Sequence, residues 1–348
     1  MNKDITTYDI SEFENILSEL GQPKFRTKQL IDWLLIRGAS SYDEMTNLPK
    51  ALRNSLSDNY PFKVPKVIER QVSKDGTRKY VIELADGCLV ETVGIPASRK
   101  GTNHDSLTVC FSTQVGCAMA CCFCATGQEG LTRSLSSVEM VYQIHLVQED
   151  FDSRISNVVS MGQGEPFQNY DAVLEALRFL NSKQGFGIGA RHITISTCGI
   201  IKGINKLATE PEQFTLAVSL HSANQELRNQ IMPRCKRQSL KKLKQALLDY
   251  VKKTGRRPSL EYTMISGTND QQQDLDELIE FTKGLLCHVN LIPLNDIPDS
   301  PFKPCSLKTY EHWISTLGKH GVETTLRKSR GSDIDGACGQ LKNTLQTK

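Results

Sequence analysis

"TVCFSTQVGCAMACCFCATGQEG", residues 108–130, places five of the chain's eleven cysteines within fifteen positions. It begins in a β-rich run, LTVCFS from residue 107, and passes into a loop of Gly, Ala and Cys, so a strand carries the cysteines to its own carboxyl end. Cys117, Cys121 and Cys124 form C-x3-C-x2-C, close enough for three thiolates to meet at one metal centre. A structural zinc site would want a second C-x2-C or a histidine pair downstream, and neither follows. A [4Fe-4S] cluster normally takes four thiolates, so three leave one iron open to a ligand. Cys122, wedged between two of the three, points elsewhere and packs.

Downstream, β-rich runs alternate with helical patterns. After LTVCFS the strands are SNVVSMG, HITIST, FTLAVSL, SLEYTMI and HVNLIPL, six in all, and VETTLRKS near the C-terminus is a further candidate. Helices fall at SSVEMVYQIHLVQ, NYDAVLEALRFLNS, IIKGINKLA, SLKKLKQALLDYVKK and DLDELIEFTKGLL, and Ser136 with Glu139 has capping-box spacing. Strand-then-helix repetition implies an α/β fold with parallel pairing, whose active site lies beyond the carboxyl ends of the strands. Those positions here are the cysteine loop, GQGEP, STCG, SLHS, SGTND and PLND, all polar or glycine-rich.

Upstream, FENILSELG, FRTKQLIDWLLIRG and LPKALRNSL repeat apolar residues at helical spacing, so residues 1–60 read as a small helical domain. Residues 61–106 change to alternating segments, KVIERQVS, RKYVIELA and CLVETVGI, with Asp75-Gly76 and Asp86-Gly87 as turns: a strand-rich connector. SRKGTNHDS, 98–106, reads as a loop into a catalytic core at 107–348.

Composition is that of a globular protein, 39% hydrophobic and 23% charged. The acidic, amphipathic start lacks a signal peptide's apolar core and no run of about 18 apolar residues occurs, so a cytoplasmic protein without a membrane association is expected. In a reducing compartment the cysteines serve metal binding, catalysis or burial rather than a disulfide framework. A net charge of +3 leaves any nucleic-acid footprint to local patches. One such patch is residues 234–244, RCKRQSLKKLK, where six of eleven positions are basic, and another is Arg327, Lys328 and Arg330.

C-x3-C-x2-C with Phe123 before its last cysteine resembles the radical S-adenosylmethionine (SAM) superfamily. QVGCAMACCFCATG, MGQGEP, SLHS with IMP downstream, VNLIPLN and RGSDIDGACGQL, together with FRTKQLIDWL and VETVGIP, resemble the dual-specificity RNA adenine C2-methyltransferases of the RlmN family over nearly the whole chain. The resemblance implies a partial (β/α)6 radical SAM barrel whose cluster, bound by Cys117, Cys121 and Cys124, holds SAM on its open iron and cleaves it to a 5′-deoxyadenosyl radical. Two SAM molecules are used per turnover: Cys338 takes a methyl group from one and loses a hydrogen atom from it to the radical of the second. The resulting methylene radical adds to adenine C2, an electron-poor carbon that cannot attack an electrophilic methyl group itself.

By the same resemblance Glu91 accepts the C2 proton, and Cys110 is the resolving thiol that frees the RNA through a transient disulfide with Cys338. Gly164, Glu165, Ser196, Ser219, Leu220, His221 and Asn295 match SAM-contact positions. Implied partners are 23S ribosomal RNA at the peptidyl-transferase centre, transfer RNA at the adenine 3′ of the anticodon, and an electron donor such as flavodoxin or ferredoxin. Lys24, Phe25, Arg26 and Lys28 fall where the family's helical domain binds RNA. The sequence departs from the family pattern at Gln163, usually Met, at Cys198, usually Ser, and at MPRCK in place of MPINK. The alternatives are a C8-specific methyltransferase of the same ribosomal adenine, and, from another class, a non-catalytic iron-sulfur or zinc RNA-binding protein.

Overall fold

A computed structural model of the chain describes residues 2–98, 105–295, 297 and 300–342. Three helices, α1 (Glu12–Glu19), α2 (Phe25–Ile31) and α3 (Lys50–Asn59), form at the three periodic segments, α2 running on into a π-helical turn at Asp32–Ile36. Their apolar stripes, Phe13, Ile16 and Leu17, then Leu30, then Leu52 and Leu56, enter the same apolar core as the rest of the molecule. Glu175 pins this seam, its carboxylate accepting from the amides of Ile10 (3.0 Å) and Ser11 (2.8 Å) and from the Ser137 hydroxyl (2.6 Å).

The alternating segments form β1 (Lys66–Val72), β2 (Arg78–Glu83) and β3 (Leu89–Ser98), an antiparallel meander, and β4 (Asp105–Cys110) adds antiparallel to β3. Of the stretch expected as a loop at 98–106, residues 99–104 lie outside the described residues. After β4 a two-stranded ribbon, β5 (Gln114–Gly116) with β6 (Leu131–Ser134), brackets the cysteine loop and the short α4 (Ala125–Glu129).

The repeating units follow: α5 (Ser137–Phe151), β7 (Ile155–Ser160), α6 (Tyr170–Asn181), β8 (Ile193–Thr197), α7 (Ile201–Leu207) and β9 (Thr215–Ser219). Next come α8 (Gln225–Ile231), α9 (Leu240–Thr254), β10 (Ser259–Met264), α10 (Gln272–Thr282), β11 (His288–Pro293), α11 (Leu307–Lys319) and β12 (Glu323–Leu326). The capping box at the start of α5 is present, Ser136 Oγ accepting from the Glu139 amide and the Glu139 carboxylate from the Ser136 amide.

All but the ribbon form one ten-stranded sheet, β1-β2-β3-β4-β7-β8-β9-β10-β11-β12, parallel from β4 onward. The six expected barrel strands are joined by the further candidate, β12, as a seventh. The connector is therefore an extension of the barrel sheet through β3 and β4. The parallel part curls: Arg327, just after β12, reaches Met161, just after β7, with Nη1 3.4 Å from Sδ, although four strands separate β7 from β12 in the sheet. The curl gathers the carboxyl ends of the strands around one space.

Candidate active site

The cysteine loop is folded by its own backbone. The Cys117 amide donates to the Gly130 carbonyl (2.7 Å), that of Cys122 to Ile231 (3.0 Å) and that of Cys124 to Cys121 (3.1 Å). Gly127 packs so tightly beneath that a Cβ there would lie 2.9 Å from the Cys121 nitrogen. Cys117, Cys121 and Cys124 face an open cleft, and Cys122 does not line it. Burial pushes the Cys117 thiol up to about 12 and raises Cys121 and Cys124, so a group that takes all three as thiolates must bring compensating positive charge. The Met119 amide already points at the Cys117 sulfur, 3.5 Å away.

Among the described residues no group of three His, Cys, Asp or Glu side chains could hold a single metal ion. The three thiols line the one cleft and lie close enough to raise one another's pKa. The donor set fits a cluster with one corner facing the cleft.

Successive strand ends build the opposite wall. Gly164, in the turn after β7, has a φ of +107°, and a Cβ there would meet Thr113 Oγ1 at 2.7 Å, so the turn admits only glycine. Glu165, buried beside it, accepts from the Phe167 amide (3.0 Å), the Thr197 hydroxyl (2.7 Å) and the Cys198 amide (2.6 Å). A carboxylate has about four acceptor sites, so roughly one is left for a ligand donor. Burial raises this carboxyl, and those three donors oppose the rise.

Ser196, Ser219, His221 and Asn295 line the same cleft. His221 sits in left-handed backbone (φ 54°), its Nδ1 accepts from the Thr263 amide (2.9 Å), and burial pushes its pKa down to about 3, so the ring is neutral. Leu220 is fully buried in the core and does not reach the cleft wall; only its neighbours on either side do. Sequence reading passed over Ser160, Met161, Thr197, Glu261 and Thr263, which also line the cleft. Their signal was their place at the ends of β7, β8 and β10, where any inward residue qualifies.

Cys338 borders two spaces. It lines the cleft and also a second cavity together with Cys110, Met161, Arg327, Lys328 and Arg330. Its loop is held from three sides: the Cys338 carbonyl accepts from Asn295 Nδ2 (3.1 Å), that of Gly339 from the Ala125 amide (2.8 Å) and that of Leu341 from Thr126 Oγ1 (2.6 Å). All eleven cysteines are free thiols. Burial pushes Cys110 up to about 12, the nearby Cys338 adding to the rise and Arg327 opposing it.

Glu91 lines neither space. It is buried on β3 beneath the C-terminal loop, its backbone clamped by Ser112 Oγ, which donates to its carbonyl (2.6 Å), and by Gln163 Oε1, which accepts from its amide (3.3 Å). Gln163, one of the departures, is thus a tie between the Glu91 strand and the Gly164 turn. The other two departures also meet: the carbonyl of Cys198 accepts from Arg228 Nη2 and lies 3.9 Å from the Cys235 sulfur.

Sequence profiles match the two parts of the chain, the ribosomal RNA large subunit methyltransferase N-terminal domain at residues 3–60 and the radical SAM superfamily at residues 111–282. A probable dual-specificity RNA methyltransferase RlmN of Clostridium novyi (strain NT) is 40% identical over 341 residues, covering 98% of each chain. The protein of the same description from Alkaliphilus oremlandii (strain OhILAs) is 43% identical over 340 residues, covering 97% of each. Among solved structures, a radical SAM methyltransferase from Sphaerobacter thermophilus superposes with a TM-score of 0.89 at 40% identity, over 98% of this chain and 99% of that one.

Proposed function

Because the chain belongs to the RlmN family of dual-specificity RNA methyltransferases, we propose that it methylates adenine C2 in 23S ribosomal RNA at the peptidyl-transferase centre and in transfer RNA 3′ of the anticodon. It is a radical SAM enzyme, with a [4Fe-4S] cluster and SAM as cofactors. Bound together, these supply a carbon radical strong enough to take a hydrogen atom from a methyl group, chemistry beyond any side chain.

The observation that carries the reading is the position of Cys338, shared by the cysteine-lined cleft and a second cavity edged by Lys328 and Arg330. A thiol there can be methylated from the cleft and then meet a base held in the second cavity by its phosphates. Cys117, Cys121 and Cys124 would hold the cluster. Gly164, Glu165, Ser196, Ser219, His221 and Asn295 would hold SAM, with Glu165 offering its remaining acceptor site to the cofactor's amino group.

Once the adduct radical has given up its unpaired electron, which the cluster would take back, Glu91 takes the proton from C2 and the C–H electron pair restores the ring. Cys110 attacks the Cys338 sulfur, the sulfur–carbon electron pair stays with carbon, and that carbon takes up a proton to become the product methyl group. The new S–S bond joins Cys110 and Cys338. Glu91 lies beneath the loop that carries Cys338, so its access to the base requires residues 337–342 to shift. Among the described residues no helix is long and apolar enough to cross a membrane; by the family reading the enzyme acts in the cytoplasm and is served by flavodoxin or ferredoxin.

The test is anaerobic reconstitution with iron, sulfide, reductant, SAM and RNA, followed by nucleoside mass spectrometry. 2-Methyladenosine is expected. 8-Methyladenosine would move the activity to C8, and RNA binding with SAM left intact would reduce the protein to a binding module.

A further inference from the structure

Lys79 is the one lysine buried among the described residues, 6% exposed on β2 beside Tyr80, Val81 and Ile82. In the sheet register Lys79 stands opposite Val93, and Val93 stands opposite Cys110. Directly opposed residues share a face, as do residues two apart on one strand. Lys79, Glu91, Val93 and Cys110 therefore lie on a single face, which Leu341 of the C-terminal loop covers by packing on Val93 and Cys110.

On that face Lys79 Nζ is 3.2 Å from Glu91 Oε1, with the two side chains 6% and 1% exposed. Besides Lys79, the backbone of Lys342 donates toward this carboxylate. A buried ion pair of this kind is no more stabilising than an apolar pair of the same volume. Packing thus gives no reason for a lysine here.

We propose that Lys79 is a positioning residue for the proton-transfer step: its ammonium, fixed by strand pairing against Glu91, keeps that buried carboxylate ionised and oriented to take the proton from C2. The inference rests on the reading of Glu91 as the proton acceptor. In the step Glu91 leaves as the neutral acid and the ring keeps the electron pair of the C–H bond.

Groups on each packed element face Glu91: Lys79 from β2, Cys110 from β4, Gln163 from the turn after β7, Glu129 from α4 and the backbone of Lys342. Burial pushes the carboxyl up to about 7 and Glu129 adds to this, while Lys79 is the chief opposing influence, with Lys342 behind it. Without the ammonium the carboxyl would be largely protonated at neutral pH, and a protonated carboxyl is no base.

The experiment uses the reconstituted full-length enzyme carrying Lys79→Met, Lys79→Gln, Lys79→Arg or Glu91→Gln. It follows methylation of Cys338 by protein mass spectrometry, and release of the protein–RNA adduct between about pH 6 and pH 9. Release by the unaltered enzyme should rise with pH, ionisation of Cys110 giving a steady increase on which a Glu91 midpoint near 7 is superposed. Met and Gln at position 79 should move that midpoint up by about one unit or more, slowing release roughly tenfold at neutral pH and recovering it in alkali, with Cys338 methylation unchanged. Arginine should restore the low midpoint.

A wild-type midpoint in both neutral variants, or a loss of release equal at every pH, overturns the role of Lys79. Undiminished release by Glu91→Gln overturns instead the reading of Glu91, and this inference with it.

Discussion

Cys338 is the residue on which two chemistries converge, and its substitution separates them. Cys338→Ala removes the proposed methyl carrier while leaving the three thiols Cys117, Cys121 and Cys124 that line the same cleft. The expected result is a cluster with an unchanged absorption spectrum and methylation of RNA reduced to background, read by nucleoside mass spectrometry. Cys110→Ala should instead stall turnover after bond formation and leave protein joined to RNA, seen as a shifted band that survives denaturation. Free turnover by that variant would remove Cys110 from the reaction. The cluster cysteines were legible because a metal dictates spacing. The SAM positions were legible as strand-end residues, with Leu220 the exception, since a residue at a strand end can face inward to the core as easily as outward to the cleft. Lys79 was not legible: in RKYVIELA a lysine reads as the solvent face, and only the pairing of β2 with β3 brings it to a buried carboxylate.

At the scale of elements, the connector delivers Glu91, the proposed proton acceptor, and clasps the loop that leads to Cys338. The β1–β2 turn holds Ser332–Ile334 from above: Ser73 Oγ donates to Asp333 (2.6 Å), the Lys74 amide to the same carboxylate (3.2 Å), and the Gly331 amide to Asp75 (3.3 Å). Burial pushes the Asp75 carboxyl up, but donors from Thr77, Ser73 and Gly331 outweigh it and hold the pKa at about 2. A carboxyl depressed on folding stabilises above its unfolded value, near 4, and loses that contribution as pH falls toward 2. The clasp should therefore be constant at neutral pH and open in acid, measured as faster amide exchange in residues 331–342 between pH 4 and pH 2. Unchanged relative protection over that range would refute the clasp.

Helix α11 is the longest element that the sequence reading missed, beside the short α4, α8 and the β5–β6 ribbon. Its buried positions are few, Tyr310, Trp313 and Leu317, and they follow a proline-bearing stretch that masks the pattern, although Ser306 is a good N-cap and its side chain accepts from the Thr309 amide. Trp313 is 1% exposed and its ring centre is 5.3 Å from that of Tyr262 on β10. Trp313→Ala should cost about 3–5 kcal/mol of stability in denaturant unfolding. A cost below about 1 kcal/mol would mean that the layer behind β10 to β12 can collapse onto the gap.

Across the whole molecule, one sheet explains why the fold was more legible than the site. Alternation of strands and helices announces a parallel sheet from sequence alone, whereas its curl, which brings Arg327 to Met161, depends on twist accumulated over many strands. Whole-molecule charge gives the last test. A net charge of +3 exerts little long-range pull on RNA, so binding must come from local contacts. Arg234, Lys236, Arg237, Lys241 and Lys242 are exposed, and among the described residues none is in an ion pair, whereas Lys24 on the helical domain is paired with Glu14 at 2.8 Å. Unpaired cations displace counterions from a nucleic acid with nothing to give up in return. If this face carries the RNA backbone, replacing Lys236, Arg237, Lys241 and Lys242 by Gln should flatten the slope of log affinity against log salt by about 3, at roughly 0.7 per phosphate contact on single-stranded RNA. Lys24→Gln, which removes a charge already neutralised by Glu14, should change it by less than one. An unaltered slope in the fourfold variant would move the RNA off this face and leave Lys328 and Arg330, at the rim of the second cavity, as the cations that hold it.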